Sequence, residues 1–431
     1  MSEARVLVIG AGLAGCEAAY QLAKRGIAVD LYEMKPQKMS PAHHSADFCE
    51  LVCSNSLRSD RIENAVGLLK AELRELGSLV LSIADETRVP AGGALAVDRE
   101  GFAARVTEVI RSHPNITVHN EEIDRVPDAP AIIATGPLTA DALAEDIARM
   151  TGEPLHFYDA AAPIVTYDSL DRAKVFRASR YGRGDDYLNC PMTREEYTAF
   201  YQALISAETA DLHAFETPRV FEGCMPVEVM AKRGEQTLCY GPLKPVGLEM
   251  DGREPYAVVQ LRQDDKDGRL FNIVGFQTNL KFAEQRRVFG LIPGLEHAEF
   301  ARYGVMHRNT FLNSPKLLDY DYQMRSHPGL YFAGQMTGVE GYVESASSGF
   351  VAALSLANRI AGKPPVDFSD KTAIGSLGHY VSGYVGDDFQ PMNVTFGIMD
   401  SLPQRIRKKT ERYGKIAERA LATIREIKAG L

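Results

Sequence analysis

Apolar residues near the start of the chain follow two periodicities, which predict a strand, a helix and a second strand. The run from Arg5 to Ile9 is short, apolar and rich in β-branched residues, as expected of a buried parallel strand. The segment CEAAYQLAKRG, which starts at Cys16, places its apolar residues at helical spacing. A second apolar strand runs from Ile27 to Tyr32. This order is typical of the unit that opens a doubly wound parallel sheet.

The turn between the first strand and the helix has the GxGxxG pattern of a dinucleotide site. Its first glycine permits the tight turn, its second lets the backbone approach a pyrophosphate, and its third allows close packing of helix on strand. Glu33 ends the second strand, where an acid can hydrogen-bond an adenosine ribose. The turn consists of Gly10, Ala11, Gly12, Leu13, Ala14 and Gly15.

Two later segments favour FAD as the dinucleotide. The segment from Ala131 to Gly136 is a strand that runs into a glycine turn, and it is similar to the flavoprotein ATG motif. The segment from Gly329 to Gly334 is similar to the second flavin-contacting strand. Many flavoproteins place an Asp after that last glycine to hold the ribityl chain, but this chain has Gln335.

A glycine-rich segment then leads into an apolar helix, which starts near Phe350. A helix amino terminus that points at the isoalloxazine would stabilise negative charge on the reduced ring. This makes Glu340, Gly341 and Tyr342 candidate cofactor-binding residues. The alternative is a glycine-rich loop that only caps a core helix.

The two flavin-like segments are far apart in the chain, so the sequence predicts an insertion between them. We predict an α/β fold: a Rossmann-like FAD-binding domain with a doubly wound parallel sheet, into which an α+β domain is inserted. The predicted parts are 1–164, 165–305 and 306–431. The insertion is expected to contain strands at 236–240, 257–261 and 270–276, and a helix over 193–207 that Thr193 caps.

Composition and charge narrow the class of protein. The chain has 431 residues, of which 45% are hydrophobic, and no run approaches the roughly 18 apolar residues of a membrane span. We expect a cytoplasmic protein with no membrane association and no disulfide framework, since six cysteines follow no regular spacing. No CxxC pair occurs, so we expect no metal site. No pattern in the chain specifies an oligomeric state.

Charge is distributed unevenly along the chain. The net charge is −9, yet residues 404–428 hold nine Lys and Arg against three Glu, so this tail carries +6 and the rest −15. Such a tail suits phosphate contacts, and a solvated helix face is the alternative. Arg177, Arg180 and Arg183 are further candidate RNA contacts, or else part of a solvated loop. His307 and Arg308 lie beside an apolar strand, where His307 is either structural or functional.

Cys224 is a candidate reactive thiol. It lies in FEGCMPVE, a turn between two acids, and a thiol held at a turn near charged groups can be exposed and reactive. Cys53 lies in the polar run CSNS, and Cys190, in LNCP, is a third candidate.

The chain as a whole resembles the folate- and FAD-dependent tRNA (uracil-5-)-methyltransferases, the TrmFO family. The resemblance covers nearly the whole chain and rests on nine blocks in order: VIGAGLAGCEAA, CSNSL, RVPAGGALAVDRE, RYG, YLNCPMT, FEGCMPVE, GFQTNLK, RYGVMHRNT and GVEGYVESA. It implies that 5,10-methylenetetrahydrofolate supplies a one-carbon unit to C5 of the T-loop uridine (position 54) of tRNA. It further implies that reduced FAD completes the reduction to a methyl group and that NAD(P)H restores the reduced flavin.

By position, the resemblance maps the two functional cysteines of the family onto Cys53 and Cys224. Uracil C5 becomes nucleophilic only after something adds at C6, and a thiolate suits that addition. We assign Cys224 as the C6 nucleophile and Cys53 as its partner, which acts as general base or in handling the methylene group, with the reverse order open. The alternatives are the same chemistry on a ribosomal RNA uridine, a plain NAD(P)H-dependent flavin oxidoreductase, and an RNA-binding flavoprotein without turnover.

Overall fold

The structure is a computed structural model that describes residues 5–40, 42–128, 130–152, 155–182, 184–210, 225–250, 252–386, 389–404 and 406–431, without the side chains of 155–159 and 307–309. In this described part, strands β1 to β16 are Val6–Ile9, Val29–Tyr32, Ser56–Ser59, Arg88–Val89, Ala94–Val97, Ile116–His119, Ala131–Ile133, Leu155–Ala160, Ile164–Thr166, Phe176–Arg177, Tyr187–Met192, Ala257–Gln263, Leu270–Ile273, Phe300–Arg302, Met306–Phe311 and Leu330–Phe332. Helices α1 to α13 are Leu13–Lys24, Ala65–Leu76, Leu79–Glu86, Arg99–Ser112, Asp141–Thr151, Arg194–Ile205, Val227–Ala231, Thr237–Tyr240, Phe282–Phe289, Ser314–Leu317, Tyr342–Ile360, Ala373–Gly383 and Lys409–Gly430.

A five-stranded parallel sheet in the order β16-β7-β1-β2-β6 forms the centre of the larger domain. Val8 of β1 pairs with Leu31 on one side and with Ile132 on the other. All three side chains are fully buried, which explains the unbroken apolar runs that predict these strands. The predicted doubly wound, Rossmann-like sheet is confirmed.

Helices α1 and α11 pack closely against each other above this sheet. The approach is so tight that a β-carbon on Gly349 of α11 would lie 2.1 Å from the carbonyl oxygen of Ala14 in α1. A β-carbon on Gly15 would lie 1.8 Å from the carbonyl oxygen of Gly10. Because both positions are glycine, the helices can lie this close to each other and to the ends of the strands.

The inserted region forms a second, antiparallel sheet of six strands in the order β10-β11-β12-β13-β9-β14. Helix α6 begins at the predicted cap: Thr193 accepts a hydrogen bond from the Glu196 N–H, and the Glu196 carboxylate accepts one from the Thr193 N–H. The strands predicted near 257 and 270 are confirmed as β12 and β13. The domain boundaries at 164/165 and 305/306 stay a prediction.

The strand predicted over 236–240 is wrong, because these residues form the short helix α8. Only Leu238 within α8 is fully buried, in the core of the inserted sheet. The alternation of polar and apolar residues in TLCY resembles a half-buried strand. A single helical turn, however, also needs only one buried residue.

Two small sheets connect the larger ones. Strands β8 and β15 form an antiparallel pair, and β3, β5 and β4 form a three-stranded sheet next to the loop that carries Cys53. Among the described residues, no helix is both long and apolar enough to cross a membrane.

The contact of α1 with α11 makes a testable prediction for stability. We expect Gly349→Ala to lower the free energy of unfolding by about 2 kcal/mol or more, since the new methyl group meets backbone that cannot move aside. Urea unfolding measures the change. Gly414→Ala in α13 is the control: no atom lies within 4 Å of its new β-carbon, so it should be neutral or slightly stabilising. Equal losses in both variants would contradict the prediction.

Candidate active site

A cavity of about 1150 Å³ opens where β1, β2, β7 and β16 end. Ligands of doubly wound sheets bind at this carboxyl edge, and the volume includes space that is open to solvent. Gly15, Glu340 and Gly341 are not among the lining residues. The predicted cofactor-binding residues that line the cavity are Gly10, Ala11, Gly12, Leu13, Ala14, Glu33, Gly136, Gly334, Gln335 and Tyr342.

The glycine turn fits a pyrophosphate. Gly10 has φ +98°, and a β-carbon there would lie 2.6 Å from the carbonyl oxygen of Ala134. Gly12 is the N-cap of α1, where no side chain caps the helix and a β-carbon would meet nothing within 4 Å. The N–H groups of the first helical turn are thus open to a ligand, and a helix amino terminus attracts anions.

Glu33 is fixed at the edge of this turn. One carboxylate oxygen accepts the Ala11 N–H at 2.8 Å, and the other accepts the Lys35 N–H at 3.0 Å. A carboxylate oxygen can accept more than one hydrogen bond, so both can also accept from ribose hydroxyls. The carboxylate oxygens at this end of the cavity therefore fit the hydroxyl groups of an adenosine ribose.

Gln335 and Gly341 have clear structural explanations at the other end of the cavity. The Gln335 amide nitrogen donates to Glu340 at 2.7 Å, which leaves the amide oxygen as the acceptor that Gln335 can offer a ligand. A β-carbon on Gly341 would lie 2.4 Å from the carboxylate of Glu344. That buried carboxylate pairs with Arg58 and accepts the Val394 N–H at 3.1 Å. Gly341 therefore makes room for an ion pair under the loop.

Cys53 is not itself a lining residue, but it is bonded to one and follows another along the chain. Its N–H donates to the Tyr342 hydroxyl at 2.9 Å, and the Ser54 N–H donates to the same oxygen at 3.3 Å. Tyr342 and Val52 line the cavity, and the half-buried Cys53 thiol donates to the carbonyl of Ala160 at 3.7 Å. Burial raises the pKa of Tyr342, so its phenol is neutral at physiological pH. The thiol is thus held by its backbone next to the cofactor site.

Three arginines surround the Cys53 loop. Arg99 donates to the carbonyl of Leu51 and forms a bidentate pair with Asp264 at 2.9 Å. Arg302 donates to the carbonyl of Val52 at 3.2 Å and pairs with Glu50 at 3.3 Å.

Arg262 differs from the other two because its partners on this loop are neutral. It donates to the Ser54 hydroxyl at 2.7 Å and to the side-chain amide oxygen of Asn55 at 3.0 Å. It also donates to the side-chain oxygen of Asn272 at 3.4 Å, and burial lowers its pKa. Arg99 belongs to the FAD-binding part and the other two arginines to the inserted sheet, so the loop is held from both sides.

Of the other two candidate cysteines, the structure describes Cys190 but not Cys224. Cys224 lies outside the described residues. The chain on either side of it is anchored: the Ala210 N–H donates to the Asn279 carbonyl at 2.8 Å, and the Val227 N–H donates to the Gln277 carbonyl at 2.7 Å. Cys190 is fully buried on β11, where burial raises its pKa, which disfavours a reactive thiolate there.

The candidate RNA contacts are brought together only in part. Arg177 is exposed on β10. Arg180 donates to the carbonyl of Pro242 at 2.7 Å and is partly buried, which lowers its pKa. Arg183 lies outside the described residues. The backbones of His307 and Arg308 lie on β15, paired with β8, and their side chains are not described.

Comparison with known proteins identifies the family. A family model described as glucose inhibited division protein A matches residues 5–364. The methylenetetrahydrofolate--tRNA-(uracil-5-)-methyltransferase TrmFO of Bacillus licheniformis is 61% identical over 98% of this chain and 98% of its own length. The protein of the same name from Listeria innocua is 58% identical over 99% of both chains. The chain belongs to the glucose inhibited division protein A family and to the TrmFO family.

A solved structure agrees with this fold. GidA of Aquifex aeolicus superposes with a TM-score of 0.71 at 16% identity, covering 98% of this chain and 74% of that one. At this identity the likeness concerns the fold alone, and it confirms the predicted Rossmann-like fold with an insertion. The predicted TrmFO resemblance is confirmed by the curated relatives.

The sequence analysis missed the three arginines of this TrmFO family member. Arg99 and Arg302 lie inside blocks that carry the resemblance, but no role follows from the blocks themselves. Arg262 had a signal of its own: it is a charged residue in the apolar run AVVQLRQ, and a buried arginine needs partners.

His43 also lines the cavity, and it makes the site sensitive to pH. Its Nδ1 lies 2.5 Å from the Ser40 hydroxyl. Burial, followed by the charge of Lys35, lowers its pKa to about 4. The folded state therefore holds a neutral imidazole, whereas the unfolded chain protonates near pH 6.5. The stability that this difference contributes is complete above pH 6.5 and is lost as the pH falls toward 4.

We expect His43→Asn to flatten the pH dependence of unfolding. Between pH 6.5 and 4.5 the free energy of unfolding should fall by about 2 kcal/mol more in the wild type than in the variant. Only in the wild type does unfolding expose an imidazole that then takes up a proton. Denaturant unfolding across this range measures the difference. His44→Asn, at the exposed neighbouring position, should retain the wild-type slope. Parallel curves for wild type and His43→Asn would rule out this role.

Proposed function

We propose that this chain methylates C5 of the T-loop uridine, position 54, of tRNA. The one-carbon donor is 5,10-methylenetetrahydrofolate, and reduced FAD, restored by NAD(P)H, is the reductant. The observation that carries the proposal is the hydrogen bond from the Cys53 N–H to the hydroxyl of Tyr342, which lines the cavity. The full-length relatives named for this activity support it. We infer that the protein acts in the cytoplasm.

Residues of the carboxyl edge would hold the cofactor in a defined direction. The Gly10 to Gly15 turn and the α1 amino terminus would bind the pyrophosphate, and Glu33 the ribose. Gly136, Gly334 and Gln335 would contact the flavin end, with Glu340 holding the Gln335 amide and Gly341 leaving room for the loop. FAD, when bound there, supplies the electrons that reduce the one-carbon unit to a methyl group.

The two cysteines divide the chemistry on the pyrimidine. The Cys224 thiolate adds to C6, and the electron pair of the C5–C6 bond forms an enolate whose C5 attacks the one-carbon unit. Cys53 then takes the C5 proton as tetrahydrofolate leaves the one-carbon unit with the electron pair of its C–N bond. Once that unit has been reduced to a methyl group, the C6–S bond breaks, which restores the C5–C6 double bond and the Cys224 thiolate. Tyr342 positions Cys53 through two backbone hydrogen bonds, and Arg262 supplies a buried cation beside the loop where negative charge develops.

We expect Cys224→Ala to reduce methylation on the order of a thousandfold or more while FAD absorbance is retained, because removal of a nucleophile eliminates the covalent step. Transfer of a labelled methyl group to tRNA transcript measures the effect. Cys239→Ala, in α8, is the matched cysteine control and should have wild-type activity. Wild-type transfer by Cys224→Ala would remove this residue from the mechanism.

An RNA that contains 5-fluorouridine distinguishes the two assignments. The covalent adduct with this RNA should be linked to Cys224, and it should still form in the Cys53→Ala variant. An adduct linked to Cys53 would reverse the two roles. A reaction that oxidises NAD(P)H but leaves tRNA unmethylated would instead favour a plain flavin oxidoreductase.

The RNA contacts are tested by salt dependence. We propose that Arg177, Arg180, Arg183, His307 and Arg308 contact the RNA, with the basic tail. Within the tail, Arg407, Lys408, Lys409 and Arg412 are exposed, whereas Arg419 donates to carbonyls of Asp400 and Ser401.

If Arg177 binds a phosphate, Arg177→Gln should reduce the slope of log Kd against log salt concentration by about one. Filter binding of tRNA from low to high salt measures the slope. Arg105→Gln on α4 is the control, since Arg105 is paired with Glu86 and Glu108. An unchanged slope for Arg177→Gln would exclude that contact.

A further inference from the structure

Three aromatic rings stack on the surface of the inserted domain. The ring centroids of Phe282 and Tyr303 are 4.5 Å apart with 17° between the planes, and those of Tyr303 and Phe300 are 5.0 Å apart with 6° between the planes. The guanidinium of Arg286 lies 5.7 Å from the Tyr303 centroid. Phe282 is 51% exposed, which is unusual for a large aromatic residue on a helix. We call these three rings the aromatic stack.

The aromatic stack is held rigidly by one buried side chain. Phe282 begins α9, and Gln285 lies one turn later in the same helix. The Gln285 amide donates to the carbonyls of Leu280 and Gly304 at 2.7 Å each, and its oxygen accepts the Gly304 N–H at 2.8 Å. The helix and the Tyr303–Gly304 segment therefore cannot slide apart without breaking buried hydrogen bonds.

One side of the aromatic stack is connected to the Cys53 loop. Arg302, the neighbour of Tyr303, donates to the carbonyl of Val52, the neighbour of Cys53. The Ala161 N–H also donates to the Val305 carbonyl at 2.8 Å, next to the Ala160 carbonyl that accepts the Cys53 thiol.

The other side of the stack is connected to residues 277–281, which bond to described residues before and after 211–224. The N–H groups of Ala210 and Val227 donate to carbonyls within residues 277–279, and the Lys281 N–H donates to the Glu208 carbonyl at 3.1 Å. Buried Glu228 fixes the same stretch by accepting the Thr278 hydroxyl at 2.8 Å and the Asn279 N–H at 2.7 Å. Phe282 follows directly along the chain.

We propose that the aromatic stack binds an unstacked base of the RNA substrate that flanks the target uridine. This inference rests on the proposed function, because a uridine can reach a thiol only after it leaves its own stack, and its neighbours then lose a stacking partner. Proteins that bind single-stranded nucleic acid supply aromatic faces for such bases, with nearby arginines for the backbone. Arg286 supplies the cation here.

The pterin ring of the folate is another flat ring that could stack on Phe282. The structure favours the RNA base for two reasons. Phe282 is exposed at a helix amino terminus on the surface, and it is not among the residues that line the cavity where the cofactor residues converge. The cation beside the rings also suits a polyanionic backbone.

The chain contains no tryptophan, so Phe282→Trp introduces a single reporter that keeps an aromatic face. We expect a T-loop stem-loop RNA to quench its emission on binding and methylenetetrahydrofolate to leave it unchanged. Leu291→Trp, at a 42% exposed site of the same domain, is the matched reporter and should respond to neither. Quenching of the Phe282→Trp variant by folate but not by RNA, or by neither, would overturn the proposal.

Binding provides the second measurement. Phe282→Ala should raise the Kd for the RNA about 5- to 150-fold, and Phe282→Tyr should retain the wild-type Kd. FAD absorbance and NAD(P)H oxidation should stay unchanged in both, which shows that the variants are folded. Equal RNA affinity for wild type and Phe282→Ala would refute base binding by the aromatic stack. The proposed function would be unaffected as long as the wild type methylates RNA. RNA quenching in a protein that methylates no RNA would refute the proposed function and support the stack.

Discussion

The close contact of α1 with α11 is the constraint on which the site depends. Because Gly349 leaves no side chain between the helices, the α11 backbone lies directly against Ala14 of α1. Both helices begin at the same edge of the parallel sheet, α1 after the Gly10 turn and α11 at Tyr342. A wider spacing would move Tyr342 away from the cavity, and Cys53 would move with it, since its loop is bonded to the Tyr342 hydroxyl. The glycine that lets the two helices approach thus also sets the distance between the cavity and the Cys53 thiol.

The parts of the structure that the sequence predicts are those with short-range causes. The Gly10 turn, Glu33 and the strand runs depend on local backbone geometry, and Thr193 caps its helix through a residue three positions away. The segment TLCY fails as a predicted strand because its conformation is decided by where Leu238 finds its core. The arginine contacts to the Cys53 loop join residues more than forty positions apart in the chain. No local pattern specifies such contacts.

The candidate site is similarly divided between local and distant causes. Glycine at 341 suits a cofactor loop by its motif, but the structure shows that its space is taken by the ion pair of Glu344 and Arg58. Gln335 departs from the usual Asp, and its amide is oriented by Glu340, five residues further along. In both cases the contact with a cofactor stays a prediction, and the reason for the residue type lies in packing that a motif does not contain.

Charge around the Cys53 loop explains why the inserted domain contributes to the site. Arg99 is neutralised by Asp264 and Arg302 by Glu50, whereas the loop partners of Arg262 are the neutral Ser54 and Asn55. These three arginines and two acids together carry one surplus positive charge, and the arginine without a paired acid among them belongs to β12 of the inserted sheet. Burying an arginine without an acid costs stability. That cost is offset if the reaction develops negative charge beside it, as the enolate of uracil does, because a fixed buried cation needs no rearrangement at the moment of reaction.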